Sequence, residues 1–307
     1  MVSPLLSKKI FHKISIKKPF KKKKISDFQK KLKKKDIEQN EIYLNIYKKF
    51  LIKNKIKLDD AINSYLEMCT DMFNCHIQFL RTGKYPVANI KIAKKKVYNN
   101  SKKMTSYMVG LAISQFYWKT HYKMFKHLQF MISNSKSAKS YLEIGPGHGL
   151  FSYYTLQKLK NLKKLHIIDI SKTSLSLSKK FLENYSKNKK IPKKYIYGDF
   201  LKVRPDFKYD IVVCGEVIEH VSHPMKLLKK INNTLNIDGK TFISTCINCP
   251  AIDHINQWHT IDEIRLLFKK SKFKILSEKV LPVENVSYKN ALKQKITVNY
   301  SAVLKKI

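Results

Sequence analysis

The chain has 307 residues, 62 lysines and arginines against 22 acids, a formal net charge of +40, and 43% hydrophobic residues. This length suits about two domains, and the apolar content supplies a core, which excludes a wholly disordered chain. No stretch approaches the roughly 18 uninterrupted apolar residues of a spanning helix, and five cysteines, sparse and odd in number, argue against a disulfide scaffold and for a reducing, cytoplasmic setting.

All but three of the basic residues are lysine, the exceptions being Arg81, Arg204 and Arg265. A surface built to grip phosphate ordinarily uses the planar arginine fork as well. The charge therefore reads as solvated lysine faces, with non-specific, salt-sensitive polyanion binding as a side effect.

Residues 1–35 carry fourteen lysines and a single acid, Asp27. Like charges at that density repel, which predicts a mobile basic tail or a frayed helix, the tail being preferred. Residues 36–135 are expected to be helical and to form a cap or substrate region. Asp59-Asp60 can start a helix whose apolar stripe is Ile62, Leu66, Met68, Phe73, Ile77 and Leu80, stopped by Gly83 with Pro86 beyond. A second helix is expected from Ser101 through Tyr107, Leu111, Phe116, Trp118 and Phe125 toward Ile132. Its aromatic content fits either a packed helix–helix interface or a lid over a pocket.

From residue 136 to 307 the pattern changes. Short β-rich runs begin at Ser140, Leu165, Tyr195, Asp210, Lys240, Phe273 and Ile296, and helical segments lie between them. Such alternation implies a doubly wound, mostly parallel sheet with helices on both faces. Thr260 and Glu263 have the spacing of a capping box ahead of Ile264 and Phe268.

The informative segment is Tyr141-Leu142-Glu143-Ile144-Gly145-Pro146-Gly147-His148-Gly149. A strand runs into a glycine loop, and a helix follows with free N–H groups. The spacing is G-x-G-x-G and not the G-x-G-x-x-G of dinucleotide enzymes. Glu143 would repel a pyrophosphate and suits a cationic or zwitterionic ligand. Asp169 ends the second strand, at the position of an acid that holds a ribose diol. Asp199, after the third strand, can accept from an adenine amino group. The fourth strand leads into Glu216-Val217-Ile218-Glu219-His220.

In these motifs residues 137–307 resemble the class I S-adenosylmethionine-dependent methyltransferases with an E-x-G-x-G-x-G first motif. The resemblance implies a seven-stranded, Rossmann-like methyltransferase fold whose last strand is antiparallel, with S-adenosyl-L-methionine as cofactor. It assigns Glu143, Gly145, Gly147 and Gly149 to the methionine end, Asp169 to the ribose, and Asp199 with Phe200 to the adenine. Glu216 and Val217 fall where cofactor meets substrate. It does not cover residues 1–135.

A sulfonium methyl is already activated, so alignment and exclusion of water come first. A base is needed only for a protonated oxygen or nitrogen acceptor. Candidates are His220, then His254 and His259, with Glu216 beside them. The expected function is methyl transfer to an O or N of a small-molecule acceptor. Two alternatives are an RNA methyltransferase with a metal-assisted site and a non-catalytic binding module. For the former, one helical turn would put Glu216, Glu219 and His220 on one face able to hold a divalent ion, with His254 to complete it. Such a stretch resembles the metal motif of small-RNA 3′-terminal 2′-O-methyltransferases and of ubiquinone-biosynthesis O-methyltransferases; the preferred reading has no metal. Cys246 and Cys249 form a CxxC without a partner CxxC, and read as buried or incidental thiols.

Overall fold

The structure, a computed structural model, describes residues 5–86, 90–93, 97–186, 190–205 and 207–307. The chain opens with helices α1 (Leu6–Lys17), α2 (Lys22–Gln29), α3 (Lys34–Lys53), α4 (Leu58–Thr82), the short α5 (Ile90–Ala93), α6 (Ser101–Tyr117) and α7 (Lys119–Ser133).

The expected mobile tail is corrected by α1 and α2; only residues 1–4 of that segment lie outside the described residues. Leu6, Ile10 and Ile14 recur every four residues, so they share one helix face, and all three are buried. The Glu41 carboxylate accepts from the backbone N–H groups of Leu6 and Ser7, each at 2.9 Å, and so satisfies donors that a helix start leaves free. The lysines between these positions project to solvent, where their repulsion is screened. Apolar burial therefore outweighs charge density.

A second correction concerns the helix expected from Ser101 to Ile132. It breaks at Trp118, which is extended (φ −100°, ψ 118°). There the indole N–H donates to the Tyr65 hydroxyl at 2.9 Å, and His121 packs on the ring at 4.6 Å. The amino end is capped by Asn100, whose side chain accepts from the Lys103 N–H at 2.9 Å. Helix α4 carries Asp59 and Asp60 in its first turn and ends at Gly83 in the left-handed region (φ 69°), as its sequence indicates. Phe73 and Leu80, expected on its buried stripe, are exposed.

The remainder alternates strand and helix: β1 (Ser140–Ile144), α8 (Leu150–Lys158), β2 (Lys164–Asp169), α9 (Lys172–Tyr185), β3 (Lys193–Tyr197), β4 (Tyr209–Gly215), α10 (Pro224–Thr234), β5 (Leu235–Ile247), α11 (Ile261–Lys270), β6 (Phe273–Pro282), α12 (Tyr288–Lys293) and β7 (Val298–Lys306). The strand order is β3-β2-β1-β4-β5-β7-β6. The first five strands pair in parallel, and β7 is antiparallel to both β5 and β6. This is the expected doubly wound, seven-stranded sheet. The order reverses between β1 and β4, which opens a crevice at the carboxyl ends of those strands.

Alternate side chains feed two cores, as a sheet covered on both faces requires. Tyr141, Ile167 and Val213 face one core, and Leu142, Ile168 and Val212 the other. The first core also contains Ile14, Leu44, Ile62 and Ile113. The amino-terminal helices thus share a core with the sheet. Gly110 of α6 packs so tightly on α4 that a Cβ there would lie 2.8 Å from the Ser64 carbonyl oxygen. That close crossing brings α6 over the crevice.

Candidate active site

A cavity of about 1060 Å³ fills the space between the carboxyl ends of the strands and the amino-terminal helices. Its floor is the loop after β1. Gly145 (φ 67°) and Gly147 (φ 53°) adopt the left-handed backbone that an L side chain rarely takes. A Cβ on Gly145 would stand 2.6 Å from Val217 Cγ2, and one on Gly147 would meet Met108 and Leu111 of α6. At Gly145 the loop is pressed against the β4 end with room for backbone alone, whereas at Gly147 the helical roof lies at ordinary contact distance and the positive φ is what favours glycine.

Three acids expected from the sequence line this cavity. Glu143 is buried and accepts from the Tyr141 hydroxyl at 3.0 Å and from the Ser152 hydroxyl. Burial disfavours its charge and raises its pKa to about 7, against the lowering effect of those two donors. Asp169 is also buried. Its Oδ1 accepts from the Ser171 N–H at 2.7 Å and its Oδ2 from the Ser174 hydroxyl at 2.6 Å. Burial raises it to about 6. Asp199 Oδ1 accepts from the Leu201 N–H at 2.9 Å, and Phe200 is buried beside it. Carboxylate oxygens held in this way keep further lone pairs for a ligand.

Gly145, Gly147, Glu216, Val217, His220 and His254 line the cavity as well. Gly149 instead caps α8. His259 is exposed, close to the start of α11, and is absent from the lining. The capping box of α11 forms between Thr260 and Glu263.

The segment after β4 departs from the expected helical turn. Glu216 has a left-handed backbone (φ 53°), and only Ile218–His220 form a single 3₁₀ turn. Glu216, Glu219 and His220 are therefore not gathered as one ligand set. Glu219 groups with His220 and His254 on one side, and with Glu216 and Cys246 on the other. Burial, then the mutual repulsion of the two carboxylates, pushes Glu216 well above the usual carboxylate range. Burial likewise raises Glu219, against the lowering influence of His220 and His254.

His220 Nδ1 lies 3.0 Å from the Asp253 carbonyl oxygen. A carbonyl only accepts, so Nδ1 carries a proton, and in the neutral ring the lone pair is on Nε2. Tyr98 donates to Asp253 Oδ2 at 3.1 Å and stands edge-on to the His220 ring at 6.4 Å. Tyr107, on the helix whose aromatic content fitted a lid, lines the cavity, and Tyr98 and Met108 in the roof, His148 in the glycine loop, and Cys249 and Asp253 after β5 line it unforeseen by sequence reasoning. Burial pushes the His148 imidazole down to about 4, so it is neutral. The Cys246, Cys249 and His254 spacing was a legible signal for one part of this wall; the others depend on how the helical half folds.

The arrangement is a deep cavity with a glycine floor, acids at the ends of β1, β2 and β3, and a histidine held by a backbone carbonyl. It suits a nucleoside with a cationic tail on the β1–β3 side and a second molecule on the β4–β5 side. The acids match such a ligand's hydroxyls and positive charge, and the glycine floor has no Cβ to obstruct it.

Comparisons with known proteins agree with this geometry. Residues 117–278 match the family described as "Methyltransferase domain". The chain is 27% identical over 135 residues to malonyl-[acyl-carrier protein] O-methyltransferase 1 of Ilyobacter polytropus, covering 44% of this chain and 48% of that protein. It is 31% identical over 117 residues to the ubiquinone biosynthesis O-methyltransferase of Glaesserella parasuis, covering 37% and 48% respectively. The chain thus spans about half the length of these curated relatives. Among solved structures, mitomycin 7-O-methyltransferase superposes with a TM-score of 0.52 at 11% identity, over 77% of this chain and 68% of that one, a likeness of fold.

Proposed function

Because the chain belongs to the methyltransferase-domain family, we propose that it transfers a methyl group from S-adenosyl-L-methionine to an oxygen or nitrogen of a small-molecule acceptor. The observation that carries this reading is the joint placement of Glu143, Gly145, Gly147, Asp169, Asp199 and Phe200 around one cavity. When bound, the cofactor supplies a methyl group on a positively charged sulfur, open to in-line displacement.

The residues of the chain do the rest. Asp169 and Asp199 orient the nucleoside by accepting from its hydroxyl and amino groups. Glu143 gives the methionine end a carboxylate partner; a cation beside it favours the ionised form that burial opposes. Tyr107, Met108 and Leu111 of α6 cover the loop and exclude water. His220 takes the acceptor proton on Nε2, and the Asp253 carbonyl holds the Nδ1–H side of the ring in place.

The acceptor side is walled by Met68, Met72, Phe73 and Trp118, with Lys21, Lys24, Lys31 and Lys123 also in its lining. An acceptor with an apolar body and an anionic end fits that wall. Both named O-methyltransferase relatives are similar to this chain, over 135 and 117 residues, which supports the reaction class. Calorimetric titration with S-adenosylhomocysteine tests the proposal: wild type binds, and Asp169→Ala and Gly147→Val lose binding. Absence of binding to the wild-type protein would overturn it.

A further inference from the structure

On the β4–β5 side of the cavity, away from the residues assigned to the cofactor, three metal-ligating side chains converge. Single ligand atoms of Cys246, Cys249 and His254 all lie within 4.8 Å of one another, and all three residues are buried. Cys246 sits near the end of β5. The chain then turns through Asn248, which is left-handed (φ 47°) and donates its N–H to the Trp258 carbonyl at 3.1 Å. The turn folds the second thiol back on the first. His254 returns to the same spot, its Nδ1 lying 2.6 Å from the Cys249 carbonyl oxygen.

The second observation is independent of the thiols. Glu219 lies within 4.8 Å of Cys246 in one grouping and of His254 in another. Its Oε2 accepts from the Thr245 hydroxyl at 2.9 Å, but its Oε1 is buried with no hydrogen-bond partner. Glu216 Oε1 and Asp253 Oδ1 are buried and unpartnered as well. Buried polar atoms are nearly always satisfied, because leaving one bare carries its full desolvation cost. The bare Glu219 oxygen, on a residue grouped with Cys246 and with His254, points to a missing positive charge.

We propose that Cys246, Cys249, His254 and Glu219 form a binding site for a thiophilic divalent metal ion of the zinc class. Two sulfurs, one imidazole and one carboxylate make a soft-leaning, four-donor set of the kind tetrahedral zinc takes, whereas magnesium or calcium would call for oxygen alone. Bonds of about 2.0–2.3 Å put tetrahedral ligand atoms roughly 3.3–3.8 Å apart, so Cys246, Cys249 and His254 close on an ion by a contraction of about 1 Å at their widest, while Glu219, grouped with Cys246 and with His254 but not with Cys249, completes the set by a longer movement. His254 Nδ1 faces both Cys246 Sγ, at 3.8 Å, and the Cys249 carbonyl oxygen, at 2.6 Å, so coordination through that nitrogen exchanges the carbonyl for the ion. Binding converts both thiols to thiolates and releases their two protons to solvent. The ion pins the loop that carries Asp253, and Asp253 is the partner of both His220 and Tyr98. It is thus a positioning device for the acceptor wall, separate from the methyl donor.

The test uses the full chain, purified without chelator. Elemental analysis is expected to find one zinc per chain in the wild type and in His220→Gln, and none in the Cys246→Ser/Cys249→Ser double variant. Titration of the reduced, metal-stripped protein with Co²⁺ is expected to give thiolate-to-cobalt charge-transfer absorption, lost in the double variant. Should that variant fail to fold, alkylation of the wild type reads the same contact: zinc shields Cys246 and Cys249, and chelation exposes them. Full zinc content in the double variant, or a reduced wild type with neither a cobalt–thiolate band nor zinc-shielded thiols, would overturn the proposal. S-adenosylhomocysteine titration of the same samples keeps the metal result distinct from the methyl-transfer reading, which stands or falls on that titration alone.

Discussion

Replacing Glu143 with glutamine separates the cost of burying its charge from the use of that charge. The side chain is 2% exposed, and its pKa rises from 4.5 to about 7 on folding, chiefly through burial. Between these values the folded chain holds a proton that the unfolded chain has released. Stability from this group is therefore complete below its unfolded pKa and is lost as pH rises through about 7. A shift of roughly 2.5 units at about 1.4 kcal/mol per unit amounts to about 3 kcal/mol by pH 8. Glutamine keeps an acceptor for Tyr141 and Ser152 and carries no charge. The ligand-free Glu143→Gln protein should therefore gain up to about 3 kcal/mol over wild type at about pH 8, and far less at about pH 5. Urea unfolding at the two pH values measures the difference. With the methyl donor present the order reverses, because in the variant the cationic ligand has lost its carboxylate partner. A variant-to-wild-type gap that is the same at both pH values would refute the reasoning.

Three further outcomes follow from packing. Gly145→Ala places a methyl group 2.6 Å from Val217 Cγ2 on a backbone at φ 67°; left-handed strain alone costs about 1–2 kcal/mol. Its melting temperature and its affinity for S-adenosylhomocysteine should both fall, and unchanged values would mean that the loop is loose. Ile14→Ala empties a fully buried position in α1 and should cost about 2–5 kcal/mol in chemical unfolding; a neutral result would restore the mobile tail. Tyr98→Phe removes the 3.1 Å hydrogen bond to Asp253 and should lower unfolding free energy by about 1 kcal/mol, whereas no loss would disconnect the two.

The carboxyl-terminal half was readable because its signals are local. Strand runs, the glycine spacing and acids at strand ends depend on period and on backbone conformation, and the seven-stranded sheet formed from them with its last strand antiparallel, as expected. Charge misled at the amino terminus: the lysines between Leu6, Ile10 and Ile14 obscured a stripe with a four-residue repeat. The break at Trp118 was invisible because it answers to Tyr65, a residue far away in the chain. At the other wall, Cys246, Cys249 and His254 stood close in sequence, yet their meaning needed Glu219 from a different strand end. The E-x-x-E-H spacing suggested one helical face, and the left-handed backbone at Glu216 divided it.

The wall of the chamber draws on residues from Lys21 to Asn299, and its roof shares a hydrophobic core with the sheet beneath. Neither end of the polypeptide is ornamental. Residues 137–307 made alone would present an open trough with its loops to water, and residues 1–135 alone would have nothing to cover. Cofactor recognition and acceptor choice therefore have to evolve under a common constraint, since a change that loosens the helical half also uncovers the place where the methyl group would move.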